Sequence, residues 1–404
     1  MQCEVGEDRV VAYLKGRIDT GNASQFEGEL LPLASAHPDL TIELDARELD
    51  YLSSAGLRVL MRLMKQHKAG VRVVNANREV YEIFEVTGFT DLLEVRRSLR
   101  EMSVDGLELI GSGANGNVYR IAADEMIKVF AERVTLDQVE AEREASRTAF
   151  TMGIPCAIPF DTVRVGDCYG TVFEMLDAAT LSERIFEHPD KIDEYARKAG
   201  DLLRQLHTLE VPAGALSDGT VAYYRNVERL TDDFTEDEIR RLTALYDAIE
   251  PMGRFVHGDY HAKNIMESNG ELMLIDLGES GRANPLFDLL HSSMICNCTG
   301  RGAGVVRADD EMSFFGLTFG QLRRFWEQML AAYCEDAEGA ARFDELLMPY
   351  ARLSYLTAAL GHPRTKPSVR KAYAEEVRTA VLAHAAEMVA SVDELQSFVP
   401  KIGS

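Results

Sequence analysis

Two stretches carry residues spaced for chemistry: "FVHGDYHAKNIM" at 255–266 and "LMLIDLGES" at 272–280. Transfer of a phosphoryl group needs a carboxylate beside the attacking hydroxyl and oxygen ligands for a metal that bridges the phosphates. Asp259 suits the first task. Asn264 and Asp276 suit the second, as oxygen donors for Mg2+. The spacing lets one loop present Asp259 and Asn264, while Asp276 arrives from an adjacent hairpin behind the apolar run "LMLI". Together His257, Gly258, Asp259 and Asn264 spell HGDxxxxN.

A second set lies upstream in "LELIGSGANGNVYRIAADEMIKVF". Gly111, Gly113 and Gly116 form GxGxxG, a weak signal alone. A dinucleotide fold would set these glycines between a strand and a helix. Here β-type runs stand on both sides, "NVYRI" and then "EMIKVF", so the glycines read as the turn of a hairpin. Such a hairpin suits a lid over nucleotide phosphates, which can approach where no Cβ stands in the way. Val118 would pack on a base, and Lys128 on the next strand would reach the α- and β-phosphates. A lysine pointing into a cleft needs a carboxylate to hold it. Glu142, in the helical "LDQVEAEREASRTAF", sits where that partner belongs, with Glu140 and Glu144 as the other candidates.

The elements that must position these groups need a long chain with real cores. There are 404 residues, 46% of them hydrophobic, enough for two or three domains. Lys and Arg number 43 against 66 Asp and Glu, a formal charge of -23. That balance repels phosphate backbones and anionic lipid, so no nucleic-acid partner and no membrane are expected. No window approaches the roughly 18 uninterrupted apolar residues of a spanning helix. The first residues, "MQCEVGEDRVVAYLKG", show no secretory signal pattern. Cysteines at 3, 156, 168, 296, 298 and 334 are spread thinly, and "CNC" has no second pair at zinc-site spacing. Reduced thiols and a cytoplasmic location are expected.

The later stretches, in this order, resemble the aminoglycoside-phosphotransferase branch of the protein-kinase-like fold, from about Leu107 through Met294. The resemblance implies a two-lobed α+β domain over 107–404, with an N-lobe at 107–175 and a C-lobe at 176–404. It implies ATP and Mg2+ as cofactors, Asp259 as catalytic base, Asn264 and Asp276 as metal ligands, and Lys128 with Glu142 as phosphate clamp. "VFEMLDAATL" resembles the hinge, whose backbone around Glu174 to Leu176 would meet adenine. "LLRQLHTLEVP" resembles the first C-lobe helix and makes His207 structural; His257 would orient the catalytic loop. After Gly278 the chain runs "ESGRANPLFDLLHSS" straight into helix, so a long activation segment is missing and Asp288 would brace the loop. "FGQLRRFWEQMLAAY" and "KAYAEEVRTAVLAHAAEMVASV" show helical stripes and would wall the acceptor site.

Residues 1–98 are of another kind. "VVAYLKG", "LTIELDA" and "GVRVVNA" read as strands. "TGNASQFEGELLPLASAH", with Thr20 or Asn22 as cap, and "REVYEIFEVTGF", closed at Gly88, read as helices. Between them "YLSSAGLRVL" opens a helix whose apolar stripe is Leu57, Leu60, Met61 and Met64, with Arg58, Arg62 and Lys65 opposite. The order β-α-β-α-β-α implies an α/β sheet with covering helices. Ser53 and Ser54 stand together at the helix start, where one cap suffices.

"GRIDTGNA", "LDARELDYLSSAGLRVL" and "VRVVNANREVYEIFEVTGFTDLL" resemble the STAS domain of bacterial anti-sigma-factor antagonists over nearly all of residues 5–95. In that family a serine at the start of the central helix is phosphorylated by a partner kinase, which releases an anti-sigma partner. The matching residue is Ser54, preceded by Ser53 where the family usually has aspartate. A phosphate there would meet unpaired helix N–H groups. The polar "RRSLREMSVDG", with 99–106 as linker, separates the halves.

The joined expectation is an ATP-dependent phosphotransferase fused to a regulatory module that can carry phosphate on Ser54. Its partners would be a phosphoryl acceptor, small molecule or protein, and an anti-sigma factor or other regulatory protein at the first domain. Two alternatives stand beside it: a small-molecule hydroxyl kinase with the first domain as scaffold only, and a non-catalytic partner-switching regulator with a nucleotide-sensing lobe.

Overall fold

Alternation lays down the first sheet. Val10, Ala12 and Leu14 of the second strand are buried while the residues between them are not. The computed structural model describes residues 1–113, 115–302, 305–362 and 365–401. It divides into two compact units, Met1–Ser103 with Val163–Gly166, and Val104–Thr162 with Asp167–Ser404.

The first unit runs β1 (Gln2–Val5), β2 (Arg9–Ile18), α1 (Ala23–Ala36), β3 (Thr41–Leu52), α2 (Ser54–Gln66), β4 (Val71–Ala76), α3 (Arg78–Val86) and β5 (Glu94–Arg97). Its sheet has the order β1-β2-β3-β4-β5, antiparallel at β1–β2 and parallel elsewhere. One row crosses it: Ala12 beside Leu44, Leu44 beside Val73, Val73 beside Val95. Each fully buried Leu or Phe, such as Leu44, Leu60 or Phe84, contributes about 1.5–3 kcal/mol. The expected order of strands and helices is present, with edge strands β1 and β5 added. Their side chains show no buried alternation, so backbone pairing rather than an apolar pattern makes them strands.

Helix α2 corrects the expected stripe. Leu57, Val59, Leu60 and Leu63 are buried, whereas Met61 and Met64 are only partly covered. The buried face is centred on Gly56, Leu60 and Leu63, so Met61 falls beyond its edge and Met64 lies on the Leu57 side of it. Gly56 belongs to that face: a Cβ there would stand 2.9 Å from Ile18 Cγ2 and run into the Leu52 side chain.

After the short β6 (Arg100–Glu101) come β7 (Glu108–Gly113), β8 (Gly116–Arg120), β9 (Glu125–Phe130), α4 (Leu136–Thr151), β10 (Pro159–Val165) and β11 (Cys168–Glu174). In space β10-β11-β9-β8-β7 follow one another. β7 and β8 form the expected hairpin, Gly113 opposite Gly116; the tip residue Ala114 lies outside the described residues. Val118, Lys128 and Thr171 lie side by side across β8, β9 and β11, so Val118 and Lys128 share a face. Helix α4 starts at a capping box of Thr135 and Gln138.

The chain continues with β12 (Ala179–Thr180), α5 (Leu181–Glu187), α6 (Ile192–Leu206), α7 (Val221–Glu228) and α8 (Glu236–Asp247). Next are β13 (Arg254–Val256), β14 (Ile265–Ser268), β15 (Glu271–Leu274), β16 (Gly281–Ala283), α9 (Leu286–Ser293), α10 (Phe319–Cys334) and α11 (Ala337–Gly361). The short α5 precedes the helix expected to be first. β14 and β15 form the hairpin that leads to Asp276. Between Gly278 and α9 lie only Glu279 at the end of a 3-10 turn, Ser280, the three residues of β16, Asn284 and Pro285. "KAYAEEVRTAVLAHAAEMVASV" is not one helix: α-helix to Glu376 gives way to a π segment at Val377–Val381 and a 3-10 turn at Leu382–His384. Periodicity alone does not separate such steps, because each keeps apolar residues facing the same core.

Candidate active site

Lys128 stands on β9 with its Nζ 2.6 Å from Glu142 Oε1 of α4 and 2.8 Å from Asp276 Oδ1. Lys128 and Glu142 side chains are 16% and 13% exposed, a mostly buried pair, whereas Asp276 is 42% exposed. Burial pushes the ammonium down, but the two carboxylates outweigh it and raise Lys128 above the ordinary lysine range. The neighbouring candidates face elsewhere: Glu140 binds Arg143 and Glu144 binds Arg147, each at i+3 on the same helix. Asp276 sits in a left-handed conformation at φ 60, where the chain leaves β15 for the 3-10 turn. Gly278 lies against Glu142, whose Oε2 a Cβ would meet at 2.9 Å.

The HGDxxxxN loop is held by its backbone. Asp288 on α9 is fully buried; its Oδ2 accepts the N–H of His257 at 2.6 Å and its Oδ1 the N–H of Gly258 at 2.7 Å. His207 donates to Asp288 at 3.2 Å through Nε2 and meets Tyr333 Oη at 2.9 Å. Burial pushes the Asp288 carboxyl up, and its bonds from His207 and the loop bring it below the ordinary value. His257 Nε2 donates to Ile275 O at 3.2 Å, and its Nδ1 accepts from Asp259 N–H at 3.2 Å. Both bonds suit a neutral ring, and burial holds the imidazole below its ordinary range. Gly258 is required here, since at φ +81 a Cβ would run into Glu279 O.

Asp259 Oδ1 receives the N–H of His291 Nε2 at 2.9 Å, and His261 Nε2 stands 3.2 Å from the same oxygen. Its Oδ2 receives Asn264 Nδ2 at 2.9 Å. Burial pushes this carboxyl up, but the two histidine bonds overturn that and hold it well below the usual range. Ile275 N–H donates to Asn264 O at 3.1 Å, tying the loop to the residue before Asp276. The structure thus brings Lys128, Glu142 and Asp276 into one cluster, Asp259 and Asn264 into another, and links the two through Ile275.

The glycines divide. A Cβ on Gly116 would fall on Val129 O, so the hairpin itself demands glycine there. Gly111 and Gly113 meet nothing closer than 3.5 Å and 3.9 Å. At the expected hinge, Glu174 N–H donates to Ile158 O and Met175 N–H to Asp124 O, both at 2.9 Å. That leaves Leu176, buried, as the residue of this expected hinge whose N–H is not engaged among the described residues. In the first unit Ser53 is the cap of α2, accepting Gly56 N–H at 3.4 Å from an extended backbone at φ -82, ψ 170. Ser54 is exposed at the first helical position. Sequence reasoning missed His261 and His291. The short spacing from Asp259 was a signal for His261; His291 reaches Asp259 only through the docking of α9.

Among the described residues no three His, Cys, Asp or Glu side chains stand at metal-binding distance, and no helix is long and apolar enough to cross a membrane. All six cysteines are free thiols.

A glycine hairpin, a strand lysine paired with a helix glutamate, and an HGDxxxxN loop define a protein-kinase-like phosphotransferase. The phosphotransferase enzyme family matches residues 106–325, and the STAS domain family matches residues 2–102. The chain belongs to the phosphotransferase enzyme family and carries a STAS domain ahead of it. The first domain is similar to BtrV of Bordetella bronchiseptica, named as an anti-sigma factor antagonist: 34% identical over 92 residues, 22% of this chain and 78% of that protein. It is also similar to the anti-sigma-B factor antagonist of Listeria monocytogenes, 23% identical over 99 residues, 24% of this chain and 86% of that one. Among solved structures, an ADP-bound aminoglycoside phosphotransferase covers 76% of this chain and 98% of its own at 18% identity and TM-score 0.46. A choline/ethanolamine kinase family protein of Mesorhizobium loti covers 72% and 92% at 18% identity and TM-score 0.44.

Proposed function

We propose that the chain is an ATP- and Mg2+-dependent phosphotransferase with a regulatory STAS module, and that Ser54 of this module accepts phosphate. The observation that carries the reading is the convergence of Lys128, Glu142 and Asp276 beside the loop of Asp259 and Asn264. Lys128, held by Glu142, would position the α- and β-phosphates, and the backbone at Leu176 would meet adenine. Asn264 and Asp276 would hold Mg2+. Their donor set fits: the Asn264 amide nitrogen is turned to Asp259, which leaves its oxygen, and both are the hard oxygen ligands magnesium takes. Bound Mg2+ would neutralise charge on the phosphates during transfer.

Asp259 would orient the acceptor hydroxyl. As the acceptor oxygen bonds to the γ-phosphorus, the bond to the β–γ bridging oxygen breaks and ADP departs; the hydroxyl proton passes to Asp259 Oδ2. A carboxylate held so far below its ordinary range is a weak base. That suits a loose transition state, in which orientation matters more than early proton removal. The free thiols suit a reducing cytoplasm.

On the first domain, Ser53 already caps α2, which frees the exposed Ser54 for modification. A phosphate at that helix start would be favoured by its N–H groups and would alter docking of an anti-sigma factor or other regulatory protein. The test is incubation of the full chain with labelled ATP and Mg2+, with mass spectrometry of the products. Label on Ser54 that disappears in Asp259→Ala is the expected result. Turnover onto an added alcohol with Ser54 unlabelled would transfer the reading to a small-molecule kinase.

A further inference from the structure

Helix α9 delivers two side chains to the loop from one face. Asp288 and His291 are three positions apart, so they lie one above the other. Asp288 grips the loop backbone at the N–H groups of His257 and Gly258. His291 reaches one turn further, to the carboxylate of Asp259 itself at 2.9 Å.

An ionised carboxylate only accepts hydrogen bonds, at about four lone-pair positions on its two oxygens. Since Asp259 can only accept, both histidines must carry the proton on Nε2. The His291 N–H donates to Oδ1, and His261 Nε2 stands 3.2 Å from the same oxygen. Asn264 Nδ2 fills one position on Oδ2. One direction on Oδ2 is left, and the carboxylate cannot rotate to offer another without breaking bonds on both oxygens.

The two histidines differ. His261 comes from the same loop, and its Nδ1 accepts Lys263 N–H at 3.2 Å, while its ring packs edge-on to Phe315. It is carried by the loop it stabilises. His291 comes from another element and is 23% exposed, against 9% for His261. It is the external reference that fixes the carboxylate relative to the C-lobe core.

We propose that His291 is a positioning residue for phosphoryl transfer: by locking Asp259 Oδ1 it aims the remaining direction of Oδ2 at the acceptor hydroxyl. This rests on the phosphotransfer reading above. In that role His291 touches neither acceptor nor nucleotide. Its removal slows the chemical step and leaves nucleotide binding alone.

The test compares His291→Ala, His291→Gln and Asp259→Ala in the full chain. Turnover of Mg2+-ATP is followed with water as the acceptor, and folding is checked by Trp326 fluorescence. His291→Ala is expected to lower kcat roughly 10- to 100-fold with the KM for ATP unchanged, the scale of a misplaced catalytic group. His291→Gln, which restores an N–H donor, is expected to recover part of the loss. A kcat for His291→Ala within about twofold of the parent, while Asp259→Ala is inactive, overturns the proposal. Spectra of 15N-histidine-labelled protein give an answer without turnover. The Nε2–H tautomer at His291, perturbed by Asp259→Ala, supports the clamp, and the Nδ1–H tautomer overturns it. If the parent transfers phosphate neither to water nor to Ser54, the phosphotransfer reading fails and the positioning role falls with it; an active parent with the Nδ1–H tautomer at His291 overturns the clamp alone.

Discussion

Lys128 and Asp276, 148 positions apart in the chain, are joined Nζ to Oδ1 at 2.8 Å, with Glu142 on the other side of the same ammonium. The Lys128–Glu142 pair is mostly buried and costly to break from one side, because the partner is left charged without compensation. Lys128→Met is therefore expected to destabilise the second unit by about 3 kcal/mol. Lys128→Met combined with Glu142→Leu is expected to recover most of that. Neither variant should gain thermal stability from ATP. Trp326 is the only tryptophan, so urea denaturation followed by its fluorescence reports the second unit alone. Full stabilisation of either variant by ATP would exclude Lys128 from nucleotide binding.

The glycine hairpin separates a folding requirement from a ligand requirement. A Cβ on Gly116 would fall on the backbone of β9, so Gly116→Ala is expected to cost about 1–3 kcal/mol. Gly113 has open space around it, so Gly113→Ala should stay within about 0.5 kcal/mol of the parent. If phosphates approach the backbone at Gly113, the same variant weakens ATP binding, measured by titration calorimetry. Unchanged ATP affinity in Gly113→Ala would sink the phosphate-lid role of that residue.

Ser53 and Ser54 should also part on substitution. Ser53→Ala removes a cap and is expected to cost about 0.5–1 kcal/mol, at the low end because its bond is 3.4 Å long. Ser54→Ala should change stability by less than about 0.5 kcal/mol. Amide exchange across α2 in the full chain measures both. Equal loss of protection in the two variants would contradict the division between cap and free hydroxyl.

Glu238 gives a pH-dependent test away from the site. Its carboxylate accepts Arg378 Nε at 2.6 Å and Thr235 N–H at 2.9 Å, and these bonds lower it from 4.5 to about 2. A depressed folded value means that the stabilisation is complete above 4.5 and is lost as pH falls towards 2. Glu238→Gln should be less stable than the parent at neutral pH, and the gap should narrow once pH drops below 4.5. Melting temperatures from pH 7 downward check this; a gap that widens on acidification contradicts it.

Much of the site can be read along the chain because its parts are local. Asp259 and Asn264 share one loop, and Asp276 follows an apolar strand, so spacing alone brings each to the end of a predictable element. The hairpin was equally legible from glycines between two β-type runs. Other features were not. Glu140, Glu142 and Glu144 are chemically alike and lie on one helix; only the docking of α4 turns Glu142 to Lys128 and leaves the others to Arg143 and Arg147. The flank position of Met61 and Met64 likewise depends on how α2 packs, since a stripe of adjacent apolar residues allows more than one centre.

By itself, then, the sequence determined the two domain types, the hairpin and the acidic loop, because periodicity, turn residues and short spacings act within a few residues of one another. Tertiary structure alone decided which charges meet. His291 reaches Asp259 across 32 positions and Lys128 reaches Asp276 across 148. A contact between distant residues depends on the orientation of whole elements, and that orientation is set by the collective packing of the core rather than by any local run.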